Sequence, residues 1–220
     1  MDQRDASKGQ QVTITLYDFY RSSACYRVRI ALNLKGLAYQ AIDTSLTSGA
    51  HRLPDYIAKN PQGFVPMLEV GDLRLTQSIA IIDWLDSHQS EPRFVPSDPA
   101  ERAHAMAIAL SIACDIHPLN NLRVLKYLSN ELGQNEGVRD DWYRHWVSEG
   151  FVALEAMASP NTRFFGGDVP GIADICLVPQ MFNARRFDTP LDRFPNLVRI
   201  DANCTAIDAF AKAHPDVVQP

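Results

Sequence analysis

The sequence predicts an α/β unit followed by an all-α unit, on three observations. Residues 12–90 alternate short strand-like runs with helix-like ones in the order β-α-β-α-β-β-α. Ser90 to Pro99 is punctuated by prolines and has no apolar period, as a linker does. Beyond it no strand-like alternation occurs, and Ala103, Ala107, Leu110 and Cys114 recur at helical spacing. Domains at 12–90 and 98–220 are therefore expected, and 220 residues suit two small domains.

Each element has a local cause. The run Val12 to Tyr17 alternates β-branched residues and reads as the first strand. Arg27 to Lys35 reads as an amphipathic helix that ends near Gly36, a residue able to take the left-handed cap. Tyr39 to Thr44 is a second strand. A loop with Gly49 and Pro54 and a short helix to Lys59 follow, and Asn60 to Pro66 is dense in turn formers. Met67 to Val70 and Leu73 to Thr76 form a hairpin about Gly71-Asp72. A helix then runs from Ser78 through Ile82 and Leu85 to about His88. Asp98 as cap, Pro99 at the first position and Glu101 at the third announce the next helix. Further helices are expected at 140–158, 172–187 and 196–214.

Composition narrows the function. The 46% hydrophobic content supports a sizeable core. A net charge of −5 leaves no basic excess for nucleic acid. Met1 to Gln11 is polar and carries no apolar signal-peptide core. The densest apolar run, Ala105 to Leu110, is too short to span a bilayer. Four widely spaced cysteines without a CxxC pair suit a reducing compartment, so a cytoplasmic protein is expected. The six histidines show no metal-ligand spacing, and no glycine-rich phosphate loop occurs.

The most informative stretch is Tyr20-Arg21-Ser22-Ser23-Ala24-Cys25-Tyr26-Arg27, where a strand hands over to a helix. A helix start carries unpaired N–H groups and the positive end of the dipole. With two hydroxyls beside it, such a place holds an anion, including a thiolate. The thiolate is either borrowed from a ligand or belongs to Cys25, and the stretch alone leaves both open.

Several motifs in register carry a resemblance. They are Arg21-Ser22-Ser23 with Arg27 to Leu32 and Leu34-Lys35-Gly36, then Asn60-Pro61, Val65-Pro66 and Gln77-Ser78 with Ala80 to Ile82. Ala173-Asp174 with Leu177 to Gln180 completes the set. Together they resemble the cytosolic glutathione transferases, and within them the zeta class of maleylacetoacetate and maleylpyruvate isomerases. Cys114 to Asn121 with Arg123, and Ala184 to Phe187, look more like the bacterial maleylpyruvate isomerases. Two positions depart from the class. Ala24 stands where the familiar Ser-Ser-Cys pattern has its cysteine, which is displaced to Cys25, and Gly171 stands where serine or threonine is usual.

The resemblance implies a thioredoxin-like domain followed by a helical one, glutathione as cofactor, a homodimer and a cis–trans isomerase of a maleyl dicarboxylate. It implies catalytic roles for Ser22, Ser23 and Arg21 at the glutathione sulfur. Val65, before a cis-proline, would pair with the cysteinyl backbone, and Gln77 and Ser78 would hold the γ-glutamyl carboxylate. His51 would contact the glycine end, and Asp115 and Asn121 would reach glutathione, across a dimer interface if need be. Arg21, His117, Arg123 and Arg186 would hold the dicarboxylate, since the planar guanidinium fork suits carboxylates. Plainer readings stand beside these: helix-capping serines, a solvated loop histidine and surface ion pairs for the arginines. A general glutathione transferase or α-haloacid dehalogenase, and a non-catalytic module of the same fold, are the alternatives.

Overall fold

The computed structural model describes residues 13–220; Met1 to Gln11, and Val12 where the first strand was expected to begin, lie outside the described residues. Strand β1 (Ile14–Asp18) leads through α1 (Ser23–Leu34) to β2 (Gln40–Asp43), which pairs parallel to it. After the short α2 (Pro54–Ile57), β3 (Met67–Val70) and β4 (Leu73–Thr76) form the expected antiparallel hairpin. The sheet order is β2-β1-β3-β4, with β3 antiparallel to β1. Helix α3 (Ser78–His88) closes this thioredoxin-like domain by packing Ile81, Ile82 and Leu85 inward.

Helix α1 differs from the amphipathic expectation. It is buried on nearly every side, because α3, a helix at Ile172–Arg186 (α7) and one at Asp208–Lys212 (α9) all pack against it. Its charged residues are therefore inside: Arg27 is 2% exposed, Arg29 1% and the capping Lys35 3%. Each needs a compensating partner, since a buried charge is costly unless paired. Arg29 has one in Asp18, at 2.7 Å, and also donates to the carbonyls of Tyr20 and Ala213. Lys35 has Asp86 at 2.8 Å and the carbonyls of Gln89 and Pro92. Arg27 has no carboxylate partner among the described residues.

The second domain is helical. Asp98 caps α4 (Pro99–Leu110) by accepting from the N–H groups of Ala100 and Glu101, as its sequence announces. A wider π-type turn (Ser111–Ile116) and a tight 3-10 turn (His117–Asn120) lead to α5 (Leu122–Asn130). Helix α6 (Glu136–Met157) starts earlier than expected because Asn135 caps it. The central α7 (Ile172–Arg186) is almost wholly buried. The single helix expected at 196–214 is instead broken. Helix α8 (Pro195–Thr205) ends before an extended Ile207, then α9 (Asp208–Lys212) and α10 (Pro215–Val218) follow. No glycine or proline marks that break; it turns Phe210 and Ala213 into the core beside α1.

Gly171, the second departure from the class, has a packing reason. A Cβ there would sit 2.9 Å from the carbonyl oxygen of Phe94, which accepts from Ile172 N–H. The fully buried Asp174 carboxylate takes over the capping, accepting from Gly171 and Phe165 N–H groups. Gly171→Ser, although it restores the family residue, is thus expected to lower stability by about 1–2 kcal/mol. Overpacking against fixed backbone outweighs the few tenths gained by a better cap. A thermal melt checks this, and a raised Tm would contradict it.

Candidate active site

The two domains enclose one cavity of about 1010 Å³. The first domain contributes the start of α1, residues 46–52, the Phe64 to Pro66 turn and the start of α3. The second contributes the end of α4, the turns after it, α5 and the ends of α6 and α7. Arg21, Arg123 and Arg186 line it, joined by Arg27, Arg52, Arg139 and Lys126. Among the described residues no aspartate or glutamate lines it, although the chain as a whole is acidic at −5. A concave site lined by one sign of charge focuses the field and concentrates anions.

The start of α1 separates the adjacent residues by function. Ser22 is the cap: its Oγ accepts from Cys25 N–H at 3.3 Å, and its own proton has no acceptor among the described residues. It is half-buried against the cavity, where that proton can be donated to an anion. Ser23 is buried, and its Oγ lies 2.9 Å from His117 Nδ1. Ala24 lines the cavity while Cys25 is fully buried in a satellite cluster with Tyr17, Tyr56 and Met67. One residue turns a helix by about 100°, so moving the cysteine one place carries it from the cavity wall into the core. Burial, with Asp18 adding, pushes the Cys25 thiol far above the ordinary thiol range. A nucleophilic cysteine needs the opposite, so Cys25 is a packing residue.

His117 joins the site only through the fold. Burial first, then the nearby Arg27 and Arg123, lower its pKa to about 3, so it is a neutral imidazole. A neutral ring can exchange one hydrogen bond with Ser23 without adding charge.

The three arginines expected at a dicarboxylate are held by aromatic faces. Arg21 stacks 5.2 Å from the Tyr20 ring centroid, Arg123 5.3 Å from Phe64 and Arg186 4.8 Å from Phe187. Phe187 in turn stacks on the buried Tyr143 at 3.6 Å. None of the three makes an ion pair with a carboxylate among the described residues. The surface-ion-pair reading therefore fails for them, and ring stacking leaves guanidinium edges free for a ligand.

The remaining expected positions, Asp115 excepted, line the same cavity. Val65 is buried before a cis peptide to Pro66, and its N–H and C=O bond to no other described residue. Such a free extended backbone can pair like an added strand. At the start of α3, exposed Gln77 has φ of 69°, a strained value for a non-glycine residue that is tolerated chiefly at functional sites. It points Ser78 and the free N–H groups of the helix start into the cavity. His51 is half-buried in the wall, and burial is the main cause holding its pKa below the ordinary histidine value. Asn121 lines the cavity while capping α5 through Arg123 and Val124 N–H. Asp115 does not join them: it is exposed over a separate depression beside Trp146 and Glu149. Within one chain it lines no part of the main cavity.

Sequence reasoning passed over Arg27, Arg52, Lys126, Arg139 and Tyr143, all of which line the cavity. Arg27 lies inside the Arg27 to Leu32 motif, where the sequence marks only the start of an amphipathic run. Among the described residues no group of three or more His, Cys, Asp or Glu could hold a metal, and no helix is long and apolar enough to cross a membrane.

Comparison with known proteins agrees with this geometry. Residues 12–87 match the glutathione S-transferase N-terminal domain. The maleylacetoacetate isomerase of Rhizobium meliloti is 46% identical over 93% of this chain and 97% of the relative. A solved bacterial maleylpyruvate isomerase, described as a zeta-class glutathione S-transferase in holo form, superposes with a TM-score of 0.91 at 40% identity. It covers 93% of this chain and 98% of its own. The maleylacetoacetate isomerase of Methylobacterium extorquens AM1, solved with malonate and glutathione bound, gives 0.87 at 38% identity over 94% of this chain and 98% of its own. The chain belongs to the zeta class of glutathione transferases, the family of the maleylacetoacetate and maleylpyruvate isomerases.

Proposed function

We propose that this protein is a glutathione-dependent cis–trans isomerase that converts maleylpyruvate or maleylacetoacetate to the fumaryl isomer, in the breakdown of aromatic compounds or amino acids. One observation carries the reading: a cavity lined by seven cationic side chains, only Arg139 of them paired with carboxylates, and by no carboxylate among the described residues, beside a free extended backbone and two helix starts. That set fits a tripeptide with two carboxylates and a thiolate, together with a dicarboxylate. The relatives bear those two isomerase names, and one of them binds glutathione with a small dicarboxylate.

Bound glutathione would supply a thiolate that adds reversibly to the maleyl double bond, making it a rotatable single bond until elimination restores it. The chain's own residues do the rest. Ser22 donates its uncommitted proton at the start of α1, where the dipole favours negative charge. Arg21 adjoins it and adds positive charge where the carbonyl end becomes negative. Arg123 and Arg186 grip the carboxylate ends while the middle turns. Ser78 with Gln77, Val65, His51 and Asn121 position the peptide. Ser23 and His117 brace the wall as a hydrogen-bonded pair across the domains.

The reading includes domains at 12–90 and 98–220, a cytoplasmic location and a homodimer, which sedimentation at micromolar concentration would test. The deciding assay supplies maleylpyruvate or maleylacetoacetate with a small fraction of an equivalent of glutathione. Full conversion to the fumaryl product supports the proposal. Stoichiometric conjugates with no fumaryl product would support a general transferase, and failure to retain glutathione at all would support a binding module. Ser22→Ala is expected to slow isomerisation by about 10²–10³-fold, as loss of one preorganised donor does elsewhere. It should also abolish the ultraviolet thiolate band of bound glutathione at neutral pH; a band left intact would remove Ser22 from that role.

A further inference from the structure

The buried guanidinium of Arg27 is counted among the cavity's cations above but has been given no individual role. It sits one turn into α1, 2% exposed, against the inner wall of the cavity. Its single bond among the described residues runs from Nη1 to Ser78 Oγ, at 3.3 Å. Nε and Nη2 are buried without a partner. Arg29 and Lys35, in the same helix, each have a carboxylate within hydrogen-bond distance. Leaving one charge of three uncompensated is costly unless a counter-charge arrives from outside.

Geometry says how the charge acts. Nε and Nη2 are out of reach of solvent, so no ligand touches them. A guanidinium can only donate, so Ser78 Oγ must be the acceptor of the bond they share. The Ser78 hydroxyl proton is thereby turned away from Arg27 and toward the cavity. Ser78 is also the first residue of α3, so the same point carries free backbone N–H groups and the positive helix end.

We propose that Arg27 is a positioning residue for glutathione: it orients the Ser78 hydroxyl as an outward donor and supplies the buried positive charge that the γ-glutamyl α-carboxylate completes. This rests on the glutathione site described above. It assigns the inner charge of that subsite to a residue that acts through Ser78.

The test is calorimetric binding of two peptides to the full chain. One is glutathione; the other is 4-aminobutanoyl-cysteinyl-glycine, which lacks only the γ-glutamyl α-carboxylate. Arg27→Met should weaken glutathione by about 10–100-fold, the range for a hydrogen bond to a charged group. It should leave the truncated peptide within about twofold of wild type, as a contact confined to one group requires. Equal losses for both peptides would reduce Arg27 to a structural role and overturn the proposal. Should Arg27→Met not fold, Arg27→Lys gives the same comparison with the charge kept: glutathione weakened, the truncated peptide unaffected. In a Ser78→Ala background, Arg27→Lys should have little further effect on glutathione, because the hydroxyl it orients is gone; full additivity would contradict the coupling. If wild type binds neither peptide, the glutathione site itself is wrong, a result separable from every outcome above.

Discussion

Arg186→Ala should lower kcat/KM for a maleyl dicarboxylate by about 10²–10³-fold, while conjugation of glutathione to a neutral electrophile stays within about twofold. Arg186 lies at the end of α7, its guanidinium over Phe187 and 3.4 Å from Asn183 Oδ1, with no carboxylate among the described residues to neutralise it. Its free edge faces the cavity, on the opposite domain from Ser22 and the glutathione-type positions. A charge placed there matters only to a ligand carrying a carboxylate. A neutral electrophile uses the same thiolate and no clamp. Equal losses on both substrates would show that Arg186 serves the glutathione site or the fold, and would remove the basis for separating isomerase from general transferase. Arg186→Lys keeps the charge and loses the planar fork, so a partial recovery of dicarboxylate turnover is expected.

Asp86→Ala should destabilise the protein by about 3–5 kcal/mol, enough to lower Tm by roughly 10 °C in a chain of this length. Asp86 accepts from Lys35 Nζ at 2.8 Å and from the backbone N–H groups of Phe94 and Val95 at 2.8 and 3.1 Å. Lys35 also donates to the carbonyls of Gln89 and Pro92, and its ammonium lies 4.2 Å from the Phe94 ring centroid. One buried ion pair thus ties the 89–95 linker to α1 and α3. Removing the carboxylate strands a buried ammonium and two backbone donors together. Lys35→Met with Asp86→Leu should cost clearly less than the sum of the single changes, because no charge is left unpaired. A thermal or urea melt reads both; additive losses would mean the pair is not the unit that holds the linker.

The sequence anticipated what is decided over a few residues. Asp98 capping α4, the Gly71-Asp72 hairpin and the helix start after Tyr20 all stand where their local chemistry puts them. Those features depend on neighbours in the chain, which the sequence displays. The broken C-terminal helix did not show, because no local breaker causes it; Phe210 and Ala213 turn inward to meet α1.

The site divides in the same way. The Arg-Ser-Ser motif, Val65-Pro66 and Gln77-Ser78 were readable because they lie in short runs with a shared spacing. The resemblance to the zeta class and the choice of glutathione as cofactor followed from them, while the order of the two domains came from the change of apolar period. Only the tertiary structure placed Ser23 against His117, 94 residues away, and left Arg27 without a counter-charge while Arg29 and Lys35 found theirs. It also showed why Ala24 and Cys25 are not equivalent: about 100° of helix rotation puts one on the cavity wall and the other in the core. Burial and charge pairing are set by what packs on each face, and those neighbours come from distant parts of the chain.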